Sequence, residues 1–229
     1  MGYYERKRSP VIAPLLVTIN VMVFVYQIYL QFQFGPSAFQ SFNEEYWLVP
    51  SVVLRGQDLY RLVSHMFLHG SLIHLLLNCI PLYFFGSYLE ADIGSLKFGG
   101  MYFLSGIAGG ITYVIVRVAE APNIPVIGAS AAIFGIVGTV TLIHPLKFGW
   151  SLFAPFPIVV FTASYVLVAT LLVTTGYVSH IAHSAHLGGL VAGMVYAFCL
   201  RPKEATQGFL IFMLVLVAIF FLITAMIEF

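Results

Sequence analysis

The chain has 229 residues, 60% of them hydrophobic and 8% charged, with ten basic and nine acidic side chains and a formal net charge of +1. Soluble domains are nearer half apolar and a quarter charged, so this composition argues against a soluble globular domain and a disordered chain, and the near-zero net charge leaves no basic field for nucleic acid. The only two cysteines, Cys79 and Cys199, exclude a disulfide scaffold. What remains is an all-α polytopic membrane protein.

Charged side chains are costly in hydrocarbon, so the intervals between them mark the spans, and a helical crossing takes about 20 residues. In chain order the spans are expected at 11–31, 70–89, 98–117, 128–144, 155–174, 183–200 and 208–227. Short alternating segments of a barrel are not present. The first span follows Arg6, Lys7 and Arg8, but its apolar run is too long for a signal peptide, so it is expected to be a retained anchor. With the N-terminus cytoplasmic, the inner side holds seven of the ten basic residues (Arg6, Lys7, Arg8, Lys97, Lys147, Arg201 and Lys203) and the outer side holds Arg55, Arg61 and Arg117. Seven spans then put Phe229 outside. The loop at 33–61 mixes aromatic residues with few charges, which suits a segment lying in the membrane interface.

Polar groups within or beside the spans are the functional candidates. Six of the seven histidines fall in two groups, His65, His69 and His74 before and in span 2, and His180, His183 and His186 at the start of span 6. His144, alone at the inner end of span 4, reads as an interfacial helix-end residue. His74 and Asn78 are four apart and share a helix face, which fits either a paired site or a helix–helix contact. In span 4, Gly128-Ala129-Ser130 follows Pro122 and Pro125, so helix starts only there. From Gly128 to His144 such a helix covers roughly 25 Å, short of a ~30 Å hydrocarbon core, so Ser130 is expected on a sunken, hydrated helix start. A small residue that permits close packing is the alternative reading. In span 6, Gly189 and Gly193 form a GxxxG pair close to His186, admitting another helix beside the imidazole. His74, Ser130 and His186 thus lie in the first turns of three spans that run the same way, at one level.

These residues resemble the rhomboid family of intramembrane serine proteases, over about Tyr60 to Phe198. The stretch from His65 to Asn78 is similar to the family's histidine-rich second span ending in HxxxN. Gly128-Ala129-Ser130 is similar to its GxSG motif, and Ala185-His186 with Gly189 and Gly193 matches its AHxxGxxxG. Ala131 stands where the motif has its second glycine. Phe134 stands where many members carry a tyrosine that stacks on the histidine, and Tyr60-Arg61 where the family has a Trp-Arg pair in the first outer loop. The resemblance implies a six-span rhomboid-like core, residues 1–204, with residues 205–229 an additional C-terminal helix. It implies Ser130 as nucleophile and His186 as general base, with oxyanion stabilisation by His74, Asn78 and the Ser130 N–H. No Asp or Glu lies in 121–146 or 148–200, so a dyad is expected, its imidazole oriented by packing and neutral hydrogen bonds. The partners implied are transmembrane protein substrates and the lipid bilayer, in the cell membrane, with no cofactor, no metal and no nucleic acid. Water would reach the site past His69, His180 and His183, and span 5 would be the gate for substrate. Two other readings are an inactive relative that binds membrane-protein clients, which Ala131 motivates, and a metal or proton-coupled transporter using the histidines. The transporter lacks an intramembrane carboxylate and an HExxH motif.

Overall fold

The computed structural model describes residues 9–150, 155–174 and 182–227. Among the described residues the regular structure is helical apart from one small hairpin. Helix α1 (Ile12–Phe34) is followed by three short outer-loop helices, α2 (Pro36–Tyr46), α3 (Pro50–Leu54) and α4 (Arg61–Ser64). Then come α5 (Leu72–Pro81), α6 (Ser87–Ile93), α7 (Ser95–Arg117) and α8 (Ser130–Ile143). Strands β1 (Phe148–Trp150) and β2 (Pro155–Pro157) pair antiparallel before α9 (Ile158–Thr174), α10 (His183–Leu200) and α11 (Pro202–Ile227). Among the described residues five helical segments are long and apolar enough to cross a membrane, with α5 and α6 joined as one of them; α8 and α9 are shorter apolar helices. Each expected span contains a helix, although the one at 155–174 opens with strand β2 before α9 begins at Ile158.

Span 2 is not a uniform α-helix. Pro81 has no N–H to continue the hydrogen-bond ladder, and a five-residue π-helical turn, Leu82–Gly86, connects α5 to α6. At its end Gly86 lies against Ala13 and Phe98, where a Cβ would approach both within 3.2 Å. The start of α1 has no capping side chain of its own. Glu90 of α6, 1% exposed, takes that role: its carboxylate accepts the N–H groups of Val11, Ile12 and Ala13 at 2.8 Å and the Ser95 hydroxyl at 2.6 Å.

The outer-loop helices are bound to the bundle rather than free. Arg61 is buried and donates to the carbonyls of Glu44 and Trp47 at 2.6 and 3.0 Å, with Asp58 beside it. Tyr60 Oη donates to the Glu45 carbonyl, and Ser64 Oγ to that of Tyr46. Tyr60-Arg61 is thus a staple that holds α2 down. Leu48 and Val126 exchange backbone hydrogen bonds, which joins this loop to the one before α8 at the same end of the bundle. At the opposite end Asp92 meets His144 at 3.0 Å and Arg201 at 2.8 Å, tying α6, α8 and α10 together. His144 is therefore a structural helix-end residue, as its position suggested.

Helix α8 is the innermost element. Its 14 residues span about 21 Å, and all but Ser130 and Phe134 are buried. Backbones approach closely around it. A Cβ on Gly189 would meet the Ala131 carbonyl, one on Gly193 the Gly135 carbonyl, and one on Gly208 of α11 the Leu142 carbonyl. The threonines of α8 complete the seams. Thr139 Oγ1 donates to the carbonyl of Gly135 or Gly193, both at 2.9 Å, and Thr141 Oγ1 lies 2.7 Å from Thr162 Oγ1 on α9. Helix α11 packs on α9 and the ends of α8 and α10 through Phe212, Ala205, Val159, Ala163 and Leu142.

Candidate active site

Ser71 caps α5 by accepting the His74 N–H, which fixes His74 in the first turn of that helix. Ser130 is the first residue of α8, where backbone N–H groups have no partner within the helix. His186 lies in the first turn of α10, its N–H donating to the Ala182 carbonyl. The glycine seam between α8 and α10 then sets the distance between the last two: His186 Nε2 is 2.7 Å from Ser130 Oγ. Both residues are half-buried, so the pair sits in the protein's interior margin and not under a sealed core.

Beside the pair the backbone turns at Gly128, φ +113°, in the region that glycine alone enters readily. A Cβ there would stand 2.7 Å from His74 Nε2 and 3.8 Å from Asn78 Nδ2. The His74 and Asn78 side chains therefore border the strand of chain that leads into Ser130. Asn78 Nδ2 donates to the His74 carbonyl at 2.9 Å, and with two N–H bonds on that nitrogen one is left for another acceptor. The Gly128 N–H donates to the His65 carbonyl, anchoring the turn to the outer loop.

The sequence-derived candidates separate by place. Ser130 and His186 are in hydrogen-bond contact. His74, Asn78 and Gly128 form the adjoining wall, and Gly189 and Gly193 are the helix seam behind it. Arg61 is apart from the group and acts in the outer-loop staple. His69 does not line an open cavity as expected: it is fully buried, its N–H on the Gln27 side chain and its ring edge-on to His74 with centroids 5.1 Å apart. Helix α1 and its buried Gln27–Asn43 bond close over it. His183 stays partly exposed, and His180 lies outside the described residues.

Phe134 keeps the expected stacking on His186, with centroids 4.6 Å apart and planes 18° from parallel. Ala131 is also accommodated. Its methyl faces Gly109 of α7, where a Cβ would clash with it and with the Ala185 carbonyl. The volume added by alanine in the motif is thus matched by a glycine on the facing helix. Two residues at the site were not anticipated. One is Gly109, whose register against α8 depends on interhelix geometry. The other is Tyr165 of α9, whose hydroxyl is 2.8 Å from His186 Nδ1 and 3.2 Å from His183 Nδ1. Its signal in the sequence was a lone phenol in an apolar run, facing a helix with histidines three apart.

The model of the rhomboid domain matches residues 56–203, well over half of the chain. The chain belongs to the rhomboid family. It is 29% identical over 235 residues to RHOMBOID-like protein 4 of Arabidopsis thaliana, covering 88% of this chain and 58% of that protein. To RHOMBOID-like protein 2 of the same plant it is 31% identical over 172 residues, covering 74% of this chain and 51% of the relative. Inactive RHOMBOID-like protein 8, also from Arabidopsis thaliana, is 29% identical over 178 residues, 69% of this chain and 46% of the relative. The chain thus spans roughly half the length of these curated relatives. Its rhomboid membership and apolar helices make it a multi-pass membrane protein.

Proposed function

We propose that this rhomboid is an intramembrane serine endopeptidase that cleaves the transmembrane helices of membrane-protein substrates near the outer face. The 2.7 Å contact between Ser130 Oγ and His186 Nε2 carries this reading. His186 takes the Ser130 hydroxyl proton as Oγ attacks a peptide carbonyl carbon. The oxyanion formed accepts hydrogen bonds from His74, from the unused Asn78 N–H and from the Ser130 backbone N–H, donors of a kind worth about 3 kcal/mol each. The imidazolium then gives its proton to the leaving amine as the C–N bond breaks. Water, deprotonated by the same imidazole, hydrolyses the acyl-enzyme. A peptide bond inside a helix hides its carbonyl, so small helix-breaking residues near the scissile bond favour cleavage.

In this reading residues 1–204 are the catalytic core and 205–229 an addition. The N-terminus is cytoplasmic and the C-terminus outside, in the cell membrane. The assay is purified protein in detergent with a model transmembrane substrate. Ser130→Ala and His186→Ala are each expected to abolish cleavage, and undiminished cleavage by Ser130→Ala ends the assignment.

A second reading, an inactive rhomboid that holds membrane-protein clients, draws support from Ala131 in the motif and from the similarity to a relative named inactive. Gly109 opposite Ala131 leaves room for that methyl, so the substitution does not by itself disturb the packing around Ser130.

A further inference from the structure

We propose that Tyr165 is the orienting third member of the catalytic group, a neutral phenol in the position where soluble serine proteases use a carboxylate. The inference rests on the protease reading above. For His186 Nε2 to receive the Ser130 proton, the neutral imidazole must carry its own hydrogen on Nδ1. That Nδ1–H needs an acceptor, and the Tyr165 oxygen is 2.8 Å away. The phenol hydrogen is then free to point at His183 Nδ1, 3.2 Å from the same oxygen. The donors run in one direction: Ser130 to His186 Nε2, His186 Nδ1 to Tyr165, Tyr165 to His183 Nδ1. The Tyr165 oxygen accepts from one histidine and donates to the other, and the row sets the tautomer that a base at His186 requires.

Stacking reinforces it. The rings of Tyr165 and Phe134 lie 4.3 Å apart, Phe134 stacks on His186 at 4.6 Å, and Tyr165 and His186 are 6.1 Å apart, so the three rings form one mutually contacting cluster. Phe134 supplies the ring without a hydroxyl, and the hydroxyl arrives from α9. No carboxylate occurs in 121–146 or 148–200 to take its place. When His186 is protonated, the bond from Nδ1–H to the phenol oxygen becomes charge-assisted and strengthens. Tyr165 is thus a positioning residue that acts through His186. Because it stands on α9, the imidazole is correctly held only while α9 is seated against α8 and α10.

The test compares the full chain with Tyr165→Phe in detergent, measuring kcat and KM separately against a model transmembrane substrate across pH. The titratable groups that bear on His186 are Tyr165, His183 on its own helix and His74 on α5. Tyr165→Phe keeps the ring and its stacking. It is expected to lower kcat by about ten- to a hundred-fold, the loss of one hydrogen bond to a charged group, with KM little changed. It is also expected to move the acid limb of kcat/KM to lower pH, because the imidazolium loses its acceptor. Adding His183→Ala to Tyr165→Phe then produces less further loss than His183→Ala does alone. Replacing Tyr165 with 3-fluorotyrosine, which weakens the oxygen as acceptor at nearly constant size, shifts the acid limb in the same direction by less. A change confined to KM, or wild-type kcat and pH profile in both variants while Ser130→Ala is inactive, overturns the role of Tyr165 alone. Cleavage that survives Ser130→Ala overturns the protease reading and this inference with it.

Discussion

At Gly128 the backbone stands at φ +113° with the His74 imidazole where a Cβ would go. Both facts act on one atom, so Gly128→Ala carries a strain of about 1–3 kcal/mol and also displaces His74. We predict at least a tenfold loss of substrate cleavage with a modest drop in the melting temperature. Equal activity and stability would separate the turn from the site. His65 and His69, before α5, carry a different constraint. Burial pushes His65 down to about 4, against the Arg61 carbonyl that its Nδ1 faces, and burial with the neighbouring His74 does the same to His69. Both lie below the ordinary histidine value of 6.5, so the stability they lend is complete above about pH 6.5 and lost as pH falls toward 4. Each contributes about 1.4 kcal/mol per pH unit in that window. Thermal unfolding followed from pH 7 to pH 4.5 is expected to show a falling midpoint, with a flatter profile in His65→Asn.

Among the elements, α8 and α10 set the distance between Ser130 and His186, on which the proposed chemistry depends. The seam is made of Gly189 and Gly193 against the carbonyls of Ala131 and Gly135. A valine at Gly189 meets backbone, which cannot yield as a flexible side chain does, and overpacking of this kind costs about 1–3 kcal/mol. The displacement matters more than that cost. A shift of about 1 Å at a reacting pair is enough for a hundredfold loss. Gly189→Val is therefore predicted to retain a folded, detergent-soluble bundle with cleavage reduced about a hundredfold or more, checked by circular dichroism beside the substrate assay. Helix α9 adds a third boundary. It reaches the site with Tyr165, and its other face packs against α11. The helix beyond the rhomboid match at 56–203 thus bears on the helix that orients the imidazole.

For the whole molecule, the spans and the pairing of Ser130 with His186 were legible in the sequence. Charge-free runs give the spans directly, and motifs on alternate spans put both groups at one end of the bundle. What could not be read is what depends on rotation of one helix against another. Tyr165 lies in an apolar run that any helix face would accept, so only the seating of α9 reveals its contact with His186. Ala131 reads as a defect until Gly109 is found opposite it. The π-helical turn after Pro81 and the Glu90 carboxylate at the start of α1 likewise arise from contacts between distant segments. His69 went the other way: a polar residue read as cavity-lining is enclosed, because α1 closes over it.

The central claim is that Ser130 is a nucleophile made reactive by His186. Covalent capture of the purified protein by a fluorophosphonate probe, located by mass spectrometry of the peptide carrying residue 130, tests it most directly. The account predicts stoichiometric labelling at Ser130 in the wild type and none in His186→Ala. An unlabelled wild-type protein, or undiminished labelling once the imidazole is gone, would contradict it.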